Sequence, residues 1–461
     1  MKFSKVTTLF FTLFMLMATS LVSAKVVLPS IFSDNMVLQR NSEVALWGWG
    51  DVSEEITIVT SWDGKAYKVT ATTDAKWNVV IATPEAGGPY TISFKGRGAT
   101  QILENILIGE VWLCSGQSNM EWSANSGIVH EDEVDKADFP NIRLFTADRR
   151  TAEYPQDNLS GYWSVCTPET MKSFSAIGYF FAKKLHDEFD VPIGVINASW
   201  GASSAEVWTP KYVFDKNEDL KEASKKIGKN RWVSNKSSEL YNAMISPISS
   251  FKIAGALWYQ GESNTANAET YTKLFSSMIT AWRAEWAYDF PFYFVQIAPY
   301  TYESPEQGVK VRDAQRRTLK LANTAMVVVS DLCTVDDIHP RNKLDVGYRL
   351  ANVALKEHYK TLEVEVHSPL YKKLIIDGKK AIIVFDHAKG LYAKGKHVTH
   401  FEIAGVDDEF FPAKAVIKGD RVLVSSKKVK QPTRVRFAWN NTALPNLFNE
   451  AHLPASSFIS E

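Results

Sequence analysis

The chain is poor in cysteine, with only Cys114, Cys166 and Cys333 in 461 residues. Three thiols allow one disulfide at most and leave one over, so no disulfide framework staples the fold. Their spacing matches no zinc site, and the nine histidines include neither HExxH nor a paired spacing. Neither a metal nor an organic cofactor is therefore expected. An excess of charge is missing as well: Lys+Arg and Asp+Glu both count 52, so no overall field draws the chain toward nucleic acid or an anionic membrane. Beyond the amino-terminal segment no apolar run reaches the roughly 20 residues of a membrane span. Internal repeats and low-complexity tracts are also lacking. What is there is ordinary for a globular protein, 45% hydrophobic and 23% charged residues, which excludes disorder, collagen and coiled coil. The length suggests two or three domains. The 14 Trp and 17 Tyr leave room for exposed rings that stack on sugars, although most aromatics belong to cores.

Residues 1–24 read as a cleaved signal peptide. Lys2 and Lys5 precede an apolar run from Val6 to Leu21, and Val22-Ser23-Ala24 supplies the small-residue spacing of a cleavage site. No cysteine follows to accept a lipid. The expectation is an exported protein, periplasmic or secreted, without a membrane span once the leader is removed.

The mature chain divides into three stretches. Residues 25–104 alternate at period two in short runs (Val44, Leu46; Ile56, Ile58; Val79, Ile81; Ile92, Phe94), divided by turn residues at Gly48 to Asp51, Asp63-Gly64 and Gly87-Gly88-Pro89. This predicts an amino-terminal β-sandwich. From 105 to 360 the pattern changes to near-continuous apolar runs, as strands buried on both faces require. They lie at Ile106 to Ile108 with Val111 to Cys114, Gly194 to Ala198, Ala254 to Tyr259, Phe292 to Ile297 and Met326 to Val329. Helical periodicity separates several of them, around Ile177 to Leu185 and Tyr271 to Trp282, and a further helix is expected over Lys343 to His358. Alternating strand and helix predict an α/β domain with a parallel sheet. Residues 361–461 return to short strands, including Ile382 to Phe385 and Val422 to Val424. In a parallel sheet the ligand crevice lies beyond the carboxyl ends of the strands, so chemistry is sought just after the apolar runs.

Four polar clusters sit there. Ser115-Gly116-Gln117-Ser118-Asn119-Met120 follows the strand ending at Cys114; a serine on such a sharp turn projects its hydroxyl out of the sheet, as a nucleophile requires. Asn197-Ala198-Ser199-Trp200-Gly201 and Gln260-Gly261-Glu262-Ser263-Asn264 follow the next two strands, and their backbone N–H groups and side-chain amides are the donors of which an oxyanion hole is made. Asp336-Asp337-Ile338-His339-Pro340 lies in the loop after Val329. A serine needs a base, and the base needs a carboxylate to fix its tautomer.

In order and local sequence these clusters resemble the SGNH hydrolases, and more closely their sialate O-acetylesterase branch, which is related to acetyl xylan esterases. The resemblance rests on Trp112 to Met120, Trp258 to Asn264 and Asp337-Ile338-His339-Pro340. It extends to Met36-Val37-Leu38-Gln39-Arg40 near the start and to Val435 to Trp439 and Asn446 to Asn449 near the end. It implies a flavodoxin-like three-layer α/β/α catalytic domain over 105–360, flanked by β-sandwich-like regions at 25–104 and 361–461. It further implies that Ser118 is the nucleophile, His339 the general base and Asp336 its orienting acid. The N–H groups of Ser118 and Gly201 and the amide of Gln260 would form the oxyanion hole.

Alternatives stay open at several positions. Ser115 competes with Ser118, Asp337 with Asp336, and Asn264 with Gln260; Glu262 is expected as a supporting hydrogen-bond partner. Arg312 and Gln315 could face the substrate or be ordinary surface residues. The activity implied is removal of O-acetyl groups from sialic acids. Acetylated xylan or another glycan is the alternative substrate, and a non-catalytic carbohydrate-binding protein is the rival from another class. A glycosidase using Glu262 and Asp337 as paired acids would leave the serine motif unexplained.

Overall fold

The computed structural model describes residues 26–228 and 230–461; the expected signal peptide lies outside the described residues. The architecture is organised around one long strand. Numbering strands in chain order, β1 is Val37–Gln39, β2 Glu43–Trp49, β3 Glu55–Thr60, β4 Ala66–Thr70, β5 Lys76–Ala82, β6 Gly87–Lys95 and β7 Gln101–Gly116. The first half of β7 pairs with antiparallel β6 and parallel β1. Its second half enters the parallel sheet, flanked by Ile193–Ser199 (β10) and Gly255–Tyr259 (β11). The burial pattern records the change: β7 begins with exposed and half-exposed positions and is fully buried from Ile106 onward. The strand therefore runs straight through position 104/105, where the sequence places the limit of the amino-terminal region.

The parallel sheet is completed by Phe139–Ala147 (β8), Gly161–Cys166 (β9), Phe292–Val295 (β12) and Thr324–Val327 (β13), in the order β13-β12-β11-β7-β10-β8-β9. Only β9 runs antiparallel to its neighbour. The amphipathic helices Ala176–Phe189 (α2), Ala268–Trp286 (α3), Gln307–Thr318 (α4) and Lys343–Glu357 (α5) bury their apolar faces against the two sides of this sheet. Two hydrophobic clusters result: one runs from the amino-terminal strands through β11 to α3, and the other packs α2 and α5 against the opposite face. Six parallel strands between helix layers, with β-rich flanks, make this an α/β fold of the expected class.

The β8–β9 pair is an element that the apolar-run pattern misses. Its run is interrupted by Arg143, which is buried all the same; the guanidinium donates to the carbonyls of Pro140, Asn35 and Asn105. Gly87-Gly88-Pro89, expected as a turn, instead opens β6 across an irregular register.

The amino-terminal strands are locked onto β7 through a buried carboxylate. Glu110, 3% exposed, accepts from Gln39 Nε2 at 2.9 Å and from Tyr359 Oη at 2.9 Å and pairs with Arg40. This gives the Met36-to-Arg40 motif its structural work. At the other end, two four-stranded antiparallel sheets enclose a separate core around Phe401, Phe437 and Phe458.

Candidate active site

Ser118 opens a short helix, Ser118–Glu121 (α1), directly at the carboxyl end of β7. The turn is possible because Gly116 has φ 129°, a conformation open to glycine, and because a Cβ there would lie 2.3 Å from the carbonyl oxygen of Tyr259 in β11. The chain thereby leaves the sheet sharply, and the backbone N–H of Gln117 is tied to that same carbonyl at 3.0 Å. Gln117 Oε1 in turn accepts from the N–H groups of Gly261 and Ser263 at 3.3 and 3.2 Å, fixing the loop after β11 to the serine turn.

The two candidate serines have different partners. Ser115 is buried in the strand and donates to the carbonyl of Ala198 at 2.6 Å. Ser118 Oγ lies 2.9 Å from His339 Nε2, across 221 residues of sequence. The imidazole stacks on the indole of Trp122, with ring centroids 4.3 Å apart and planes 24° apart. The carboxylate beside it is Asp337 and not Asp336. Asp337 Oδ1 lies 3.9 Å from His339 Nδ1 and accepts the backbone N–H of His339 at 2.8 Å. That two-residue backbone bond folds the loop so that residue 337 faces the ring, while Asp336 is exposed to solvent. His339 has a pKa lowered from the ordinary histidine value, first by burial, then by the charge of Lys343, with Asp337 opposing. The shift disfavours the imidazolium form.

The expected oxyanion donors require correction. Gln260 does not reach the cleft: it is fully buried, its Nε2 donates to Ser203 O at 3.1 Å and to Asn264 Oδ1 at 2.7 Å, and its Oε1 accepts from Tyr271. Asn264 faces the same interior network, donating to Glu206 at 2.8 Å. Gly201 does lie against Ser118, since a Cβ there would be 3.5 Å from Ser118 Cβ. Its N–H, however, donates to Glu121 Oε2 at 2.8 Å. The other oxygen of Glu121 pairs with Arg149. Arg312 and Gln315 are also interior. Arg312 binds the carbonyls of Asn440 and Asn441, and Gln315 braces the carbonyls of Gln260 and Val295. Glu262 is a supporting residue, accepting from Asn119 Nδ2 at 2.7 Å.

A cleft of about 490 Å³ opens above Ser118 and His339, walled by Glu121, Trp122, Arg149 and Asn197. Asn197 is a donor that the assignment by motif passes over. Its Oδ1 accepts Ser199 Oγ at 2.6 Å, which fixes the amide, and among the described residues its Nδ2 has no protein partner. A larger cavity of about 720 Å³ lies between the β13 edge and the carboxy-terminal strands, but its charged groups are spent on one another, as in Arg317–Glu461, Lys372–Asp386 and His367–Glu357. All three cysteines are free thiols, with Cys114 in the core. Among the described residues no cluster of His, Cys, Asp and Glu has the arrangement of a metal site, and no helix is long and apolar enough to cross a membrane.

An imidazole at hydrogen-bonding distance from a half-buried serine hydroxyl that borders the cleft, with a carboxylate on its other side, has the parts of a base-activated nucleophile. Comparison with known proteins agrees with an ester-cleaving site. Residues 108–356 match the family described as carbohydrate esterase, sialic acid-specific acetylesterase. The chain is 28% identical to the sialate O-acetylesterase of Mus musculus over 94% of each protein. It is 28% identical to that of Homo sapiens, over 94% of this chain and 92% of the human one. The crystal structure of a carbohydrate acetylesterase from Xanthomonas citri superposes with a TM-score of 0.86 at 35% identity, covering 95% of this chain and 100% of that one.

Proposed function

As a member of the sialic acid-specific carbohydrate esterases, the family to which this chain belongs, the protein is an esterase; we propose that it removes O-acetyl groups from sialic acids through an acyl-enzyme on Ser118. The observation that carries this reading is the 2.9 Å contact between Ser118 Oγ and His339 Nε2 at the end of β7. His339 takes the serine proton as Oγ attacks the acetyl carbonyl. The imidazolium then protonates the departing sugar oxygen, and water activated by the same histidine releases acetate. Asp337 stabilises the imidazolium by its charge; its 3.9 Å separation is of the kind that tightens once substrate is bound.

The tetrahedral oxyanion needs donors aimed at it. The N–H of Ser118 heads α1, where the first helical N–H groups have no intrahelical partner, and the free amide of Asn197 faces the same cleft. Gly201 can join them only when the Glu121 carboxylate withdraws from its N–H. Export through residues 1–24 is part of the proposal and brings the enzyme to glycans outside the cytoplasm.

The choice of sialic acid is supported by the names of the mammalian relatives and by Arg149. This guanidinium lines the cleft, its side chain is 56% exposed although paired with Glu121, and it suits the carboxylate of an anionic sugar. The Xanthomonas relative is described only as a carbohydrate acetylesterase, which makes acetylated xylan or another neutral glycan the alternative substrate.

Acetate release by the mature protein, beside Ser118→Ala, tests the reading on 9-O-acetylated sialic acid, acetylated xylan and an aryl acetate. Release from the sialic acid, falling about 10,000-fold or more in the variant, is the expected outcome. Release confined to xylan and the aryl ester keeps the chemistry and replaces the sugar. Glycan binding without hydrolysis would make the protein a binding module.

A further inference from the structure

Lys343, the first residue of α5, is 1% exposed. Its Nζ donates to Asn119 Oδ1 at 2.7 Å, and among the described residues no carboxylate lies within ion-pair distance of it. Asn119 directly follows the proposed nucleophile. Its Nδ2 donates to Glu262 Oε1 at 2.7 Å and to the carbonyl of Ile338, the residue before His339, at 3.0 Å. One amide therefore joins the serine turn, the loop after β11, the histidine loop and α5. The Lys343 ammonium also lies 5.6 Å from the ring of Trp122, the indole on which His339 stacks, and 5.8 Å from that of Tyr259. An ammonium buried without a directly bonded counter-ion is expensive, and apolar side chains commonly replace buried charges without loss of stability. The lysine thus carries a cost that packing does not explain.

Building on the Ser118–His339 reading, we propose that Lys343 is a positioning residue for that pair: through Asn119 it holds the serine and histidine loops in register, and its positive charge opposes protonation of His339. The charged groups around the imidazole define the balance. Lys343 approaches from α5 beside the Trp122 ring on which the imidazole stacks; Asp337, with Arg341 at 3.4 Å from its other oxygen, faces it from its own loop. Glu121 and Arg149 neutralise one another across the cleft, and Glu262 sits behind Asn119. After burial, Lys343 is the strongest influence lowering the pKa of His339, and it outweighs Asp337. Burial also draws Lys343 itself down to about 7 and pushes Glu262 up to about 7. The sign is favourable for a base: as pH falls below neutrality Lys343 becomes fully charged and its repulsion is greatest where His339 would otherwise protonate. The device extends activity toward acid.

The experiment is the pH profile of kcat/KM for an aryl acetate, measured on the mature enzyme and on Lys343→Met, Lys343→Gln and the double variant Lys343→Met/Glu262→Gln. The acid limb reports His339 in the free enzyme. Each variant should move it to higher pH by about one unit, so that activity on the limb, relative to the variant's own plateau, falls about tenfold. The double variant leaves no buried charge behind and should keep the shifted limb. A purely structural lysine lowers the plateau and leaves the limb in place; that result overturns the inference. Should none of the variants fold, an NMR titration of His339 in the parent protein decides, because protonation at or above the ordinary value of 6.5 contradicts the proposal. Ser118→Ala separates the two readings: if it retains activity the serine mechanism itself is wrong, and if it is inactive while the limb stays put only the role of Lys343 is lost.

Discussion

Two acidic residues stand side by side before His339, and a single backbone hydrogen bond distinguishes them. The N–H of His339 reaches back two residues to Asp337 Oδ1, which turns residue 337 toward the ring and leaves Asp336 in solvent. Asp337→Asn should therefore lower kcat by about 100-fold or more, within the range attributed to acid–base partners, while Asp336→Asn changes it less than about threefold. Steady-state kinetics on an aryl acetate check this, and the reverse ranking would restore Asp336. The neighbouring spacing rule, Asp three residues before His, could not make this distinction, because it counts residues and not the hydrogen bonds that shape the loop. Asn197 argues the same point for the oxyanion. Gln260 has the right chemistry at a strand end, but both its amide hydrogens are consumed inside the protein. Asn197 lines the cleft, and among the described residues its Nδ2 has no protein partner. Asn197→Ala is expected to cost about 100- to 1,000-fold in kcat with little change in KM, the signature of a donor used in the transition state. Gln260→Ala, in contrast, should be read out as lost stability.

At the scale of elements, the serine is aimed by the way β7 ends. Gly116 lets the chain turn where a side chain would strike the β11 backbone, so Gly116→Ala combines a disfavoured backbone conformation with a collision that parts the two strands beneath Ser118. A loss of about 3 kcal/mol or more in unfolding free energy is expected, with activity falling further than the folded fraction; denaturant unfolding beside kinetics separates the two effects. Much of this architecture was legible. Apolar runs marked β7, β10, β11, β12 and β13 because those strands are covered on both faces, and the polar clusters at the ends of β7 and β10 and in the loop after β13 mark three sides of the cleft. The β8 strand was not legible, since Arg143 breaks its run and is satisfied largely by Asn35 and Asn105, distant in sequence, beside the nearby carbonyl of Pro140. Lys343 was equally invisible. A lysine in the first turn of a helix, after the Asn342 cap, reads as a solvated residue, and only the tertiary fold seals it behind Trp122 and Tyr259.

The whole molecule is tied together through the catalytic sheet, and this bears on whether its parts can exist alone. β7 supplies the last strand of the amino-terminal sheet and the central strand of the parallel one. Cutting the chain near residue 104 would strip β1 and β6 from Ile106, Leu107 and Ile108 and leave the Glu110 carboxylate without Gln39 and Arg40. The carboxy-terminal region is bound as closely. Arg312, 1% exposed on α4, spends its guanidinium on the carbonyls of Asn440 and Asn441 and on Ser457, and Gln296, just past β12, donates to Ser456 at 2.8 Å. Removing residues 361–461 would take away the Asn440, Asn441 and Ser457 partners of the Arg312 guanidinium and open the buried surface around it to water. The catalytic stretch 105–360 expressed alone is thus expected to be insoluble or unfolded by circular dichroism. The mature chain should unfold in one calorimetric transition whose van't Hoff and calorimetric enthalpies agree. Two resolved transitions, or a folded and active 105–360 fragment, would show instead that the shared strand and the Arg312 anchor are incidental and that the flanking β regions are separable modules.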